Sequence, residues 1–411
     1  MKILFTSPSL SVQADAPLNS KNRAEALQKT GAQVVLLGFP EIYPLPNVQL
    51  PFPYISLEKR ASSSTLRRWE KMRKYFGIWW TFLAVSFLVK LAAYRIARKE
   101  KFDLICMHHA EPCVLLPLVA WLRLIRRYTP TVVILPMAFI EVGAKNITRA
   151  RSRLRGILNA YAARRLAGLA HIVIENRHYA EGLRLTRKNN VHIIPEGYTN
   201  RMASFSLPEA RRKLGIAPGQ RMVLLFGTAT VMKGADLLIK ALEEVPPAFL
   251  VYIAGKTGGI YESSWGPLER LQNTGWKDNL RIVSRFIPED EMELYFAAAH
   301  ACIFPYRRGF STISSNLRQA GEMGKAILAS DQYHFTDIVK NYKVGLLFEP
   351  ENVPEIARCL REFAAKPDEW FAEIRRNSEI LVKERSWEKI AAQYLALFQH
   401  ILDHEKTGQK H

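Results

Sequence analysis

The stretch PYRRGFSTISSNLRQAGEMGKAILAS, Pro305 to Ser330, decides the fold. It follows an apolar strand (Ala301 to Phe304), passes through a basic loop of small residues, enters a predicted helix at about Ser314 and ends in a second apolar strand. Such a helix start binds anions, because its first backbone N–H groups have no intrahelical partner and the helix dipole favours negative charge. With Arg307 and Arg308 at its mouth, the loop is either a phosphate site or an ordinary β-α-β turn with surface arginines.

Size and composition narrow the class of protein. A chain of 411 residues is long enough for two α/β domains, and 48% hydrophobic with 23% charged residues excludes a mainly disordered chain. The formal net charge of +20 predicts attraction to nucleic acid, an anionic membrane face or phosphorylated small molecules. We expect no nucleic-acid partner, because the basic residues are spread through amphipathic helices without a known reader motif.

The cysteines and the first residues bear on the compartment. The chain has four cysteines: Cys106, Cys113, Cys302 and Cys359. They lie mostly in apolar runs, without CxxC spacing or a histidine cluster beside them. They are interpreted as reduced core residues, which implies a reducing compartment and no structural zinc. The start, MKILFTSPSL, is too short in its apolar part for a signal peptide. We therefore expect a cytoplasmic protein.

The first half of the chain predicts a doubly wound parallel sheet. Strands are predicted at Lys2 to Ser7 and Gln33 to Phe39, with a helix through Asn22 to Lys29 between them. Ligands bind at the carboxyl edge of such sheets. The loop before the helix has no GxGxxG pattern, so a dinucleotide fingerprint is absent.

A buried strand in FDLICMHHAEP ends in His108, His109 and Glu111. Polar side chains at the carboxyl edge of a sheet are candidates for chemistry or for contact with a substrate. The alternative is a pair of structural histidines. Glu196, in the later segment IIPEGY, is a further candidate for contact with a substrate.

Residues 59–127 are basic and aromatic. The segment from Tyr75 to Val89 is uncharged with basic flanks, and its fifteen residues fall short of the roughly 20 that span a bilayer. Tryptophan and tyrosine between basic flanks suit the headgroup boundary. A second apolar block, Val114 to Ile125, is followed by Arg126 and Arg127. The pattern predicts helices on an anionic membrane surface, with a buried core helix as the alternative.

The second half predicts another doubly wound sheet. Strands are predicted at Met222 to Phe226, in FLVYIAG and in NLRIVSRF. Helices are predicted at Gly234 to Glu244, near Phe335 to Lys340 and at Val353 to Ala365, with a terminal helical run from Trp370 to Leu402.

Several segments, taken in order, resemble the GT-B glycosyltransferases, and within them the retaining group often called glycosyltransferase family 4 or group 1. They are IIPEGY, LLFGTATVMKGADLLIKAL, VYIAG, RFIPEDEMELYFAAAHACIFPY, the opening stretch, GLLFEPEN and RSWEKIAAQY. The resemblance implies an α/β fold of two Rossmann-like domains, each a doubly wound parallel sheet, facing across a cleft. It implies an acceptor domain over residues 1–203, a nucleotide-sugar domain over 204–385, and a helix over 386–404 that crosses back to the first domain.

The family pattern Gly-Arg-x5-Lys-Gly, which supplies two cations to the diphosphate, appears here as Gly227, Thr228, Lys233 and Gly234. The lysine is kept and the arginine is not. The resemblance implies that Lys233 is catalytic, because a lysine beside a diphosphate stabilises negative charge that builds on the leaving group. A solvated loop lysine is the alternative.

The family pattern Glu-x7-Glu places one carboxylate on the sugar hydroxyls and another on the ribose. Ser311 and Gln319 occupy these positions here. Gln319 can still hydrogen-bond a ribose diol, since its amide both donates and accepts. Glu322 is an alternative ribose ligand if the alignment shifts by three residues.

Five more residues of the opening stretch are expected to bind the donor. Two arginines are expected to replace the charge lost at Thr228, and three residues at the helix start are expected to offer side-chain groups and backbone N–H groups. They are Arg307, Arg308, Ser314, Ser315 and Asn316.

The resemblance also implies a histidine in the first domain, for which His109, or His108, is the candidate. The more usual position, after the TPTVVILP strand, holds Met137. No protein nucleophile is expected, because the leaving phosphate of a retaining enzyme of this kind assists attack on the same face. No metal or cofactor is expected, since the lysine and the helix dipole take the place of a metal.

The resemblance thus implies a hexosyltransferase, and the basic-aromatic segment and the net charge predict that it lies on the inner face of the membrane. It would use a nucleotide diphosphate sugar and act, with retention, on a lipid-linked or polysaccharide glycan. The alternative is an inactive GT-B protein that binds a nucleotide-sugar or a polyanion as a scaffold, and the loss of both motif carboxylates and one arginine favours it.

Overall fold

The computed structural model describes residues 1–6, 15–38, 53–56, 87, 90–108, 112–125, 127–135, 150–200, 204–228, 231–256, 274–308 and 314–408. The chain forms two compact units. Unit 1 is Met1–Gly197 with Trp387–His411, and unit 2 is Tyr198–Ser386.

Unit 1 is built on a parallel sheet. Its strands are β1 (Lys2–Thr6), β2 (Gln33–Gly38), β3 (Tyr54–Ser56), β4 (Leu104–His108), β5 (Thr131–Leu135), β6 (His171–Ile174) and β7 (Val191–Ile193). Its helices are α1 (Asp15–Lys29), α2 (residues 90–99), α3 (Pro112–Leu124), α4 (Ala150–Leu166), α5 (Arg177–Gly182) and α13 (Trp387–Gly408). The seven strands follow the order β3-β2-β1-β4-β5-β6-β7, and each pairing is parallel.

This strand order puts helices on both faces of the sheet. The chain moves from β1 outward to β3, then crosses to β4 and moves outward to β7 on the other side. Because parallel β-α-β connections are right-handed, α1 lies on one face and α2, α3 and α4 lie on the other. In agreement, α3 packs against α4, and α1 packs against α13.

Helix α13 completes the core of unit 1. Its buried side chains recur every three or four residues and share a cluster with β1 and α1: Trp387, Ile390, Tyr394, Leu397, Phe398 and Ile401. At the entry to the helix, a Cβ on Gly197 would overlap the Trp387 ring. Position 197 therefore needs glycine so that the indole can pack against the backbone.

The structure corrects the prediction of one helical run from Trp370 to Leu402. Two helices are present, α12 (Asp368–Glu384) and α13, with a break at Arg385 and Ser386. The break has a backbone cause. The N–H of Tyr198 donates to the Arg385 carbonyl at 2.7 Å, and Tyr198 forms a parallel bridge with Ser386. Pairing with a distant segment therefore replaces the next turn of helix.

Unit 2 is a second parallel sheet. Its strands are β8 (Met222–Phe226), β9 (Leu250–Ala254), β10 (Leu280–Val283), β11 (Ala301–Phe304), β12 (Ala326–Ser330) and β13 (Gly345–Phe348). Its helices are α6 (Leu207–Lys213), α7 (Ala235–Leu242), α8 (Glu289–Ala298), α9 (Ser315–Glu322), α10 (Tyr333–Tyr342), α11 (Val353–Ala365) and α12. The strand order is β10-β9-β8-β11-β12-β13. The predicted strand before the opening stretch is β11, and the predicted helix and second strand of the stretch are α9 and β12, while residues 309–313 of its loop lie outside the described residues.

The inner strands of both sheets, such as β4, β5, β11 and β12, are buried on both faces, as their continuous apolar runs predict. Three of the four cysteines are free thiols in these cores, and burial raises the pKa of Cys106, Cys302 and Cys359 to about 12. The prediction that these three cysteines lie in the core is confirmed, while the side chain of Cys113 lies outside the described residues. None of the helices in the described ranges is both long enough and apolar enough to cross a bilayer.

His300, just before β11, is held in its neutral form. Its Nδ1 accepts a hydrogen bond from the Met222 N–H at 3.2 Å, and an Arg211 Nη atom lies 3.3 Å from the same nitrogen. Burial, followed by the neighbouring Arg211, lowers the pKa of His300 to about 4. Protonation at Nδ1 would remove the acceptor and place two cations together.

Acidification should therefore destabilise unit 2. Because the folded-state pKa of His300 lies below that of the unfolded chain, this contribution is fully present above about pH 6.5 and is lost as the pH falls towards about 4. His300→Gln keeps an acceptor for Met222 and should reduce the loss of unfolding free energy between about pH 7 and pH 5 by about 2 kcal/mol. Urea unfolding at the two pH values measures this, and identical losses in both proteins would contradict it.

Candidate functional site

The first candidate site lies at the carboxyl edge of the unit 2 sheet, where β8 and β9 end at two glycines. Gly227 has a φ of 98° and donates its N–H to the Ala254 carbonyl at 2.8 Å. Gly255 has a φ of 146°, and a Cβ there would overlap the Gly227 carbonyl. Both positions need glycine, and the two segments meet through bare backbone.

Lys233 ends the 3₁₀ turn Val231–Lys233 that leads into α7. The next residue, Gly234, has a φ of 67°, and a Cβ there would overlap the carbonyl oxygen of Pro305. The turn therefore packs directly against the chain that leaves β11. This contact explains the Lys-Gly pair, because the glycine permits the close approach that positions the lysine.

Lys233 and Asn316 converge on Gly227. A Cβ on Gly227 would lie 3.1 Å from the Lys233 Nζ and 2.8 Å from the Asn316 Nδ2. Asn316 donates that amide to the Phe226 carbonyl at 2.7 Å and is buried. An ammonium group and the first turn of α9 therefore meet at the end of β8.

The start of α9 is fixed by Ser314, which is the N-cap residue of the helix. The Ser314 Oγ accepts from the Leu317 N–H at 3.4 Å and lies 3.2 Å from the Tyr306 hydroxyl. Ser314 therefore supports the predicted donor site as the helix cap, with its hydroxyl engaged inside the protein. The positive end of the α9 dipole lies beside Lys233, and this combination can hold a phosphate.

Arg307 holds the turn that carries Lys233. Its Nη1 and Nη2 donate to the two carboxylate oxygens of Asp236 at 2.9 and 2.6 Å, and Nη1 also donates to the Val231 carbonyl. Its backbone N–H donates to the Met232 carbonyl at 2.9 Å. A bidentate pair of this kind fixes orientation as well as charge.

Arg308 also faces carboxylates. Its Nη2 lies 2.8 Å from Glu349, and its Nε lies 3.8 Å from Glu351, which approaches Arg307 at the same distance. Both arginines were expected to offer their charge directly to a donor. The structure differs, because acidic neighbours that are distant in sequence hold both guanidinium groups.

The other residues predicted on the donor side have different environments. Gln319 is buried, Ser315 is half-buried and Thr228 is exposed, while Ser311 lies outside the described residues. Glu322, the alternative ribose ligand, is committed elsewhere. Its Oε1 accepts from the Thr199 N–H at 2.6 Å and from Arg318 at 2.8 Å.

The second candidate site lies at the carboxyl edge of the unit 1 sheet, around a fully buried arginine on α1. Arg23 donates to the Glu175 Oε1 at 2.7 Å and to the His108 Nε2 at 3.2 Å. Two aromatic rings of α13 cover its guanidinium, Tyr394 at 5.3 Å and Trp387 at 5.7 Å. Helix α1, strand β4, helix α13 and the loop after β6 are therefore joined at one buried charge.

The contacts of Arg23 set the state of His108. A guanidinium only donates, so the His108 Nε2 must accept and the ring is neutral with its proton on Nδ1. Burial raises the pKa of Glu175, and the charge of Arg23 opposes that rise. Glu196 is buried and contributes to the field at Arg23. The other two predictions at this edge, His109 and Glu111, lie outside the described residues.

Sequence reasoning missed Arg23, Glu175 and Asp236. Glu175 directly follows β6, as His109 directly follows β4, so the rule that selected His109 would have found it. Arg23 and Asp236 occupy helices without a distinguishing local pattern. Their partners are 71 or more residues away.

Residues 207–395 match the family model described as glycosyl transferases group 1. The predicted resemblance to the group 1 glycosyltransferases is confirmed. Two curated relatives are D-inositol 3-phosphate glycosyltransferases: that of Rhodococcus erythropolis is 23% identical over 44% of this chain, and that of Geodermatophilus obscurus is 25% identical over 50%. The chain spans 42% and 47% of their lengths, less than half of each.

Solved structures resemble the whole chain. Sucrose-phosphate synthase from Thermosynechococcus elongatus superposes with a TM-score of 0.71 at 18% identity, covering 98% of this chain and 99% of that one. Anabaena HepE in complex with UDP gives 0.69 at 16% identity, covering 97% and 100%. At these identities the likeness establishes the fold, and the predicted GT-B fold of two Rossmann-like units is confirmed.

The position of Arg307 predicts a difference between two adjacent arginines. Arg307→Met leaves Asp236 without its bidentate partner and frees the lysine turn, so binding of a nucleoside diphosphate should weaken about tenfold or more. Arg308→Met removes a half-exposed pair and should change binding little. Thermal-shift titrations of UDP, GDP and ADP measure both variants. Equal losses would contradict the positioning role of Arg307.

The buried arginine predicts a stability cycle in unit 1. Arg23→Met leaves the Glu175 carboxylate unpaired in the core and should cost about 3 kcal/mol or more. The double variant Arg23→Met/Glu175→Gln removes the charge as well and should recover a large part of that loss. Urea unfolding of the four proteins measures the coupling, and additive losses would contradict it.

Proposed function

We propose that this protein transfers a hexosyl group from a nucleotide diphosphate sugar to an acceptor, with retention of the anomeric configuration. One observation carries the proposal. The ammonium of Lys233, the amide of Asn316 and the start of α9 surround Gly227 at the carboxyl edge of the unit 2 sheet. That arrangement matches the needs of a leaving nucleoside diphosphate, whose charge increases as the glycosidic bond breaks.

The proposed reaction uses electrostatic stabilisation. As the bond between the sugar and the diphosphate breaks, Lys233 and the α9 dipole stabilise the developing charge without a resident metal. The departing phosphate oxygen accepts the proton of the acceptor hydroxyl, which attacks the same face of the sugar. Retention then requires no protein nucleophile, in keeping with Ser311 and Gln319 at the positions where the family places carboxylates.

We further propose that unit 1 binds the acceptor, a lipid-linked or polysaccharide glycan, on the inner face of a membrane. The polar edge at His108, held by the neutralised Arg23–Glu175 pair, supports the site, and the basic-aromatic composition of residues 59–127 supports the membrane. His109 is proposed as the histidine that approaches the reacting sugar.

A variant of Lys233 tests the transfer reaction. Lys233→Ala should lower kcat by about a hundredfold or more, because one preorganised charge is removed from the leaving group. Lys240→Ala on the exposed side of α7 is the matched control and should keep full activity. Release of UDP, GDP or ADP from their sugars, with and without added glycans, measures turnover. Turnover by Lys233→Ala equal to that of the control would sink the proposal.

A nucleotide-sugar-binding scaffold is the second candidate, favoured by Thr228, Ser311 and Gln319 in place of charged family residues. The two candidates separate in one comparison. A scaffold should show a thermal shift with a nucleotide-sugar and no turnover with any acceptor, whereas the enzyme should show both.

A further inference from the structure

A surface cavity of about 400 Å³ lies between α2 and α3 of unit 1. Its apolar lining consists of Leu91 and Tyr94 of α2, Trp121 and Leu122 in the last turn of α3, and Ile125 directly after it. Tyr94 and Leu122 are buried, and the Tyr94 hydroxyl lies 2.8 Å from the Thr131 hydroxyl. The inner wall is therefore fixed by packing into the sheet.

The mouth of the cavity is basic. None of the nine lining residues is acidic. Four of them are exposed cations: Arg95, Arg98, Lys99 and Arg127. These four side chains make no ion pair with the parts of the chain that the structure describes. By contrast, the nearby Arg123 lies 4.0 Å from the Tyr128 ring and 3.8 Å from Glu405. The cavity therefore presents positive charge to an external anion.

Large apolar side chains stand exposed beside this mouth. On α3, Trp121 is 50% exposed and Leu124 is 82% exposed. The neighbouring helix α4 adds three more that are about half exposed: Ile157, Leu158 and Tyr161. A group of exposed apolar residues on adjacent helices marks an interaction surface. Here the apolar group borders a basic one, which is the pattern of a bilayer interface.

The cavity is separate from the acceptor-side edge. Its residues come from α2, whose last turn holds Arg98 and Lys99, and from the last turn of α3, and Arg127 precedes β5. Helices in β-α-β units run antiparallel to their strands, so these last turns lie at the amino edge of the sheet. His108 ends β4 at the opposite, carboxyl edge. An anion in the cavity is therefore not at the proposed acceptor site.

The distribution of charge between the two units also favours unit 1 as the part that meets an anionic partner. The residues of unit 1 contain 33 lysines and arginines against 15 acids, a formal charge of +18. The residues of unit 2 contain 25 against 23, a formal charge of +2. Nearly all of the excess charge thus belongs to the unit that carries the cavity.

We propose that this cavity binds the phosphate headgroup of an anionic phospholipid, while Trp121 and Leu124 enter the bilayer beside it. The proposal names the membrane partner of unit 1 and rests on the membrane part of the proposed function, not on the transfer reaction. A bilayer accounts for both halves of the surface, because lipid phosphates satisfy the four cations and the acyl boundary covers the exposed apolar side chains. A soluble phosphate or a nucleic acid would leave Leu124 in water.

Vesicle binding tests the proposal with the full chain. We expect binding to vesicles of phosphatidylcholine with about one third phosphatidylglycerol at about 0.05 M salt, and none to phosphatidylcholine alone. Arg95→Glu/Arg98→Glu should weaken that binding at least about thirtyfold, since each basic residue near an anionic surface contributes about fivefold. Trp121→Gln should leave a weaker binding that high salt abolishes, because only the electrostatic part remains.

The control matches the change in charge. Arg187→Glu/Lys188→Glu replaces two exposed cations of unit 1 between α5 and β7 and should keep most of the vesicle binding. Equal losses in the two double variants, or no binding by the unchanged protein, would overturn the proposal. So would binding of glycerol phosphate or duplex DNA at least as tight as vesicle binding, with the same dependence on Arg95 and Arg98. Circular dichroism shows whether each variant is folded. Donor turnover with a soluble acceptor should be unchanged in Arg95→Glu/Arg98→Glu. This measurement separates failure of the membrane proposal from failure of the transferase proposal.

Discussion

The unit 2 site depends on close backbone approaches that only glycine permits. Gly255 lies against the Gly227 carbonyl, and Gly234 lies against the Pro305 carbonyl. These contacts join the chain segments that follow β8, β9 and β11. The three strands are neighbours in one sheet, with β8 between β9 and β11. The position of Lys233 therefore follows from the register of the sheet. A charge held in this way needs little reorganisation when an anion develops beside it, and that is the condition for electrostatic catalysis.

Arg307 reinforces the same geometry from outside. By joining Asp236 at the start of α7 to the turn before it, the guanidinium resists movement of Lys233 away from Gly227. An arginine next to a phosphate loop is easily interpreted as a phosphate ligand. Its bidentate carboxylate partner shows why position alone does not decide this, since a neutralised pair stabilises a turn more effectively than it attracts a second anion.

In unit 1, the corresponding constraint is the buried charge of Arg23. Removing Arg23 from water is costly, and Glu175, His108 and the rings of Trp387 and Tyr394 offset that cost only when all are in place. Two of these partners belong to α13. The interaction therefore specifies where the end of the chain packs, beneath the edge that carries His108. An apolar contact of equal size would leave the position of α13 less strictly defined.

The sequence predicts what local pattern controls. Apolar strands, the helix start at Ser314 and the Lys-Gly turn follow from periodicity and from glycine at fixed positions. The break before α13 and the partners of Arg307 depend on segments far apart in the chain, which no local pattern records. The total net charge likewise does not show which part of the structure carries it. The total of +20 predicted an anionic partner without choosing among a nucleic acid, a membrane face and a phosphorylated small molecule, and unit 2 carries only +2, with Arg307 and Arg308 facing carboxylates. Donor binding needs a few fixed charges, whereas a long-range field requires a large net charge, and nearly all of the net charge belongs to unit 1. We therefore expect the overall charge to act at the proposed membrane surface of unit 1, and the proposed donor site of unit 2 to depend on geometry.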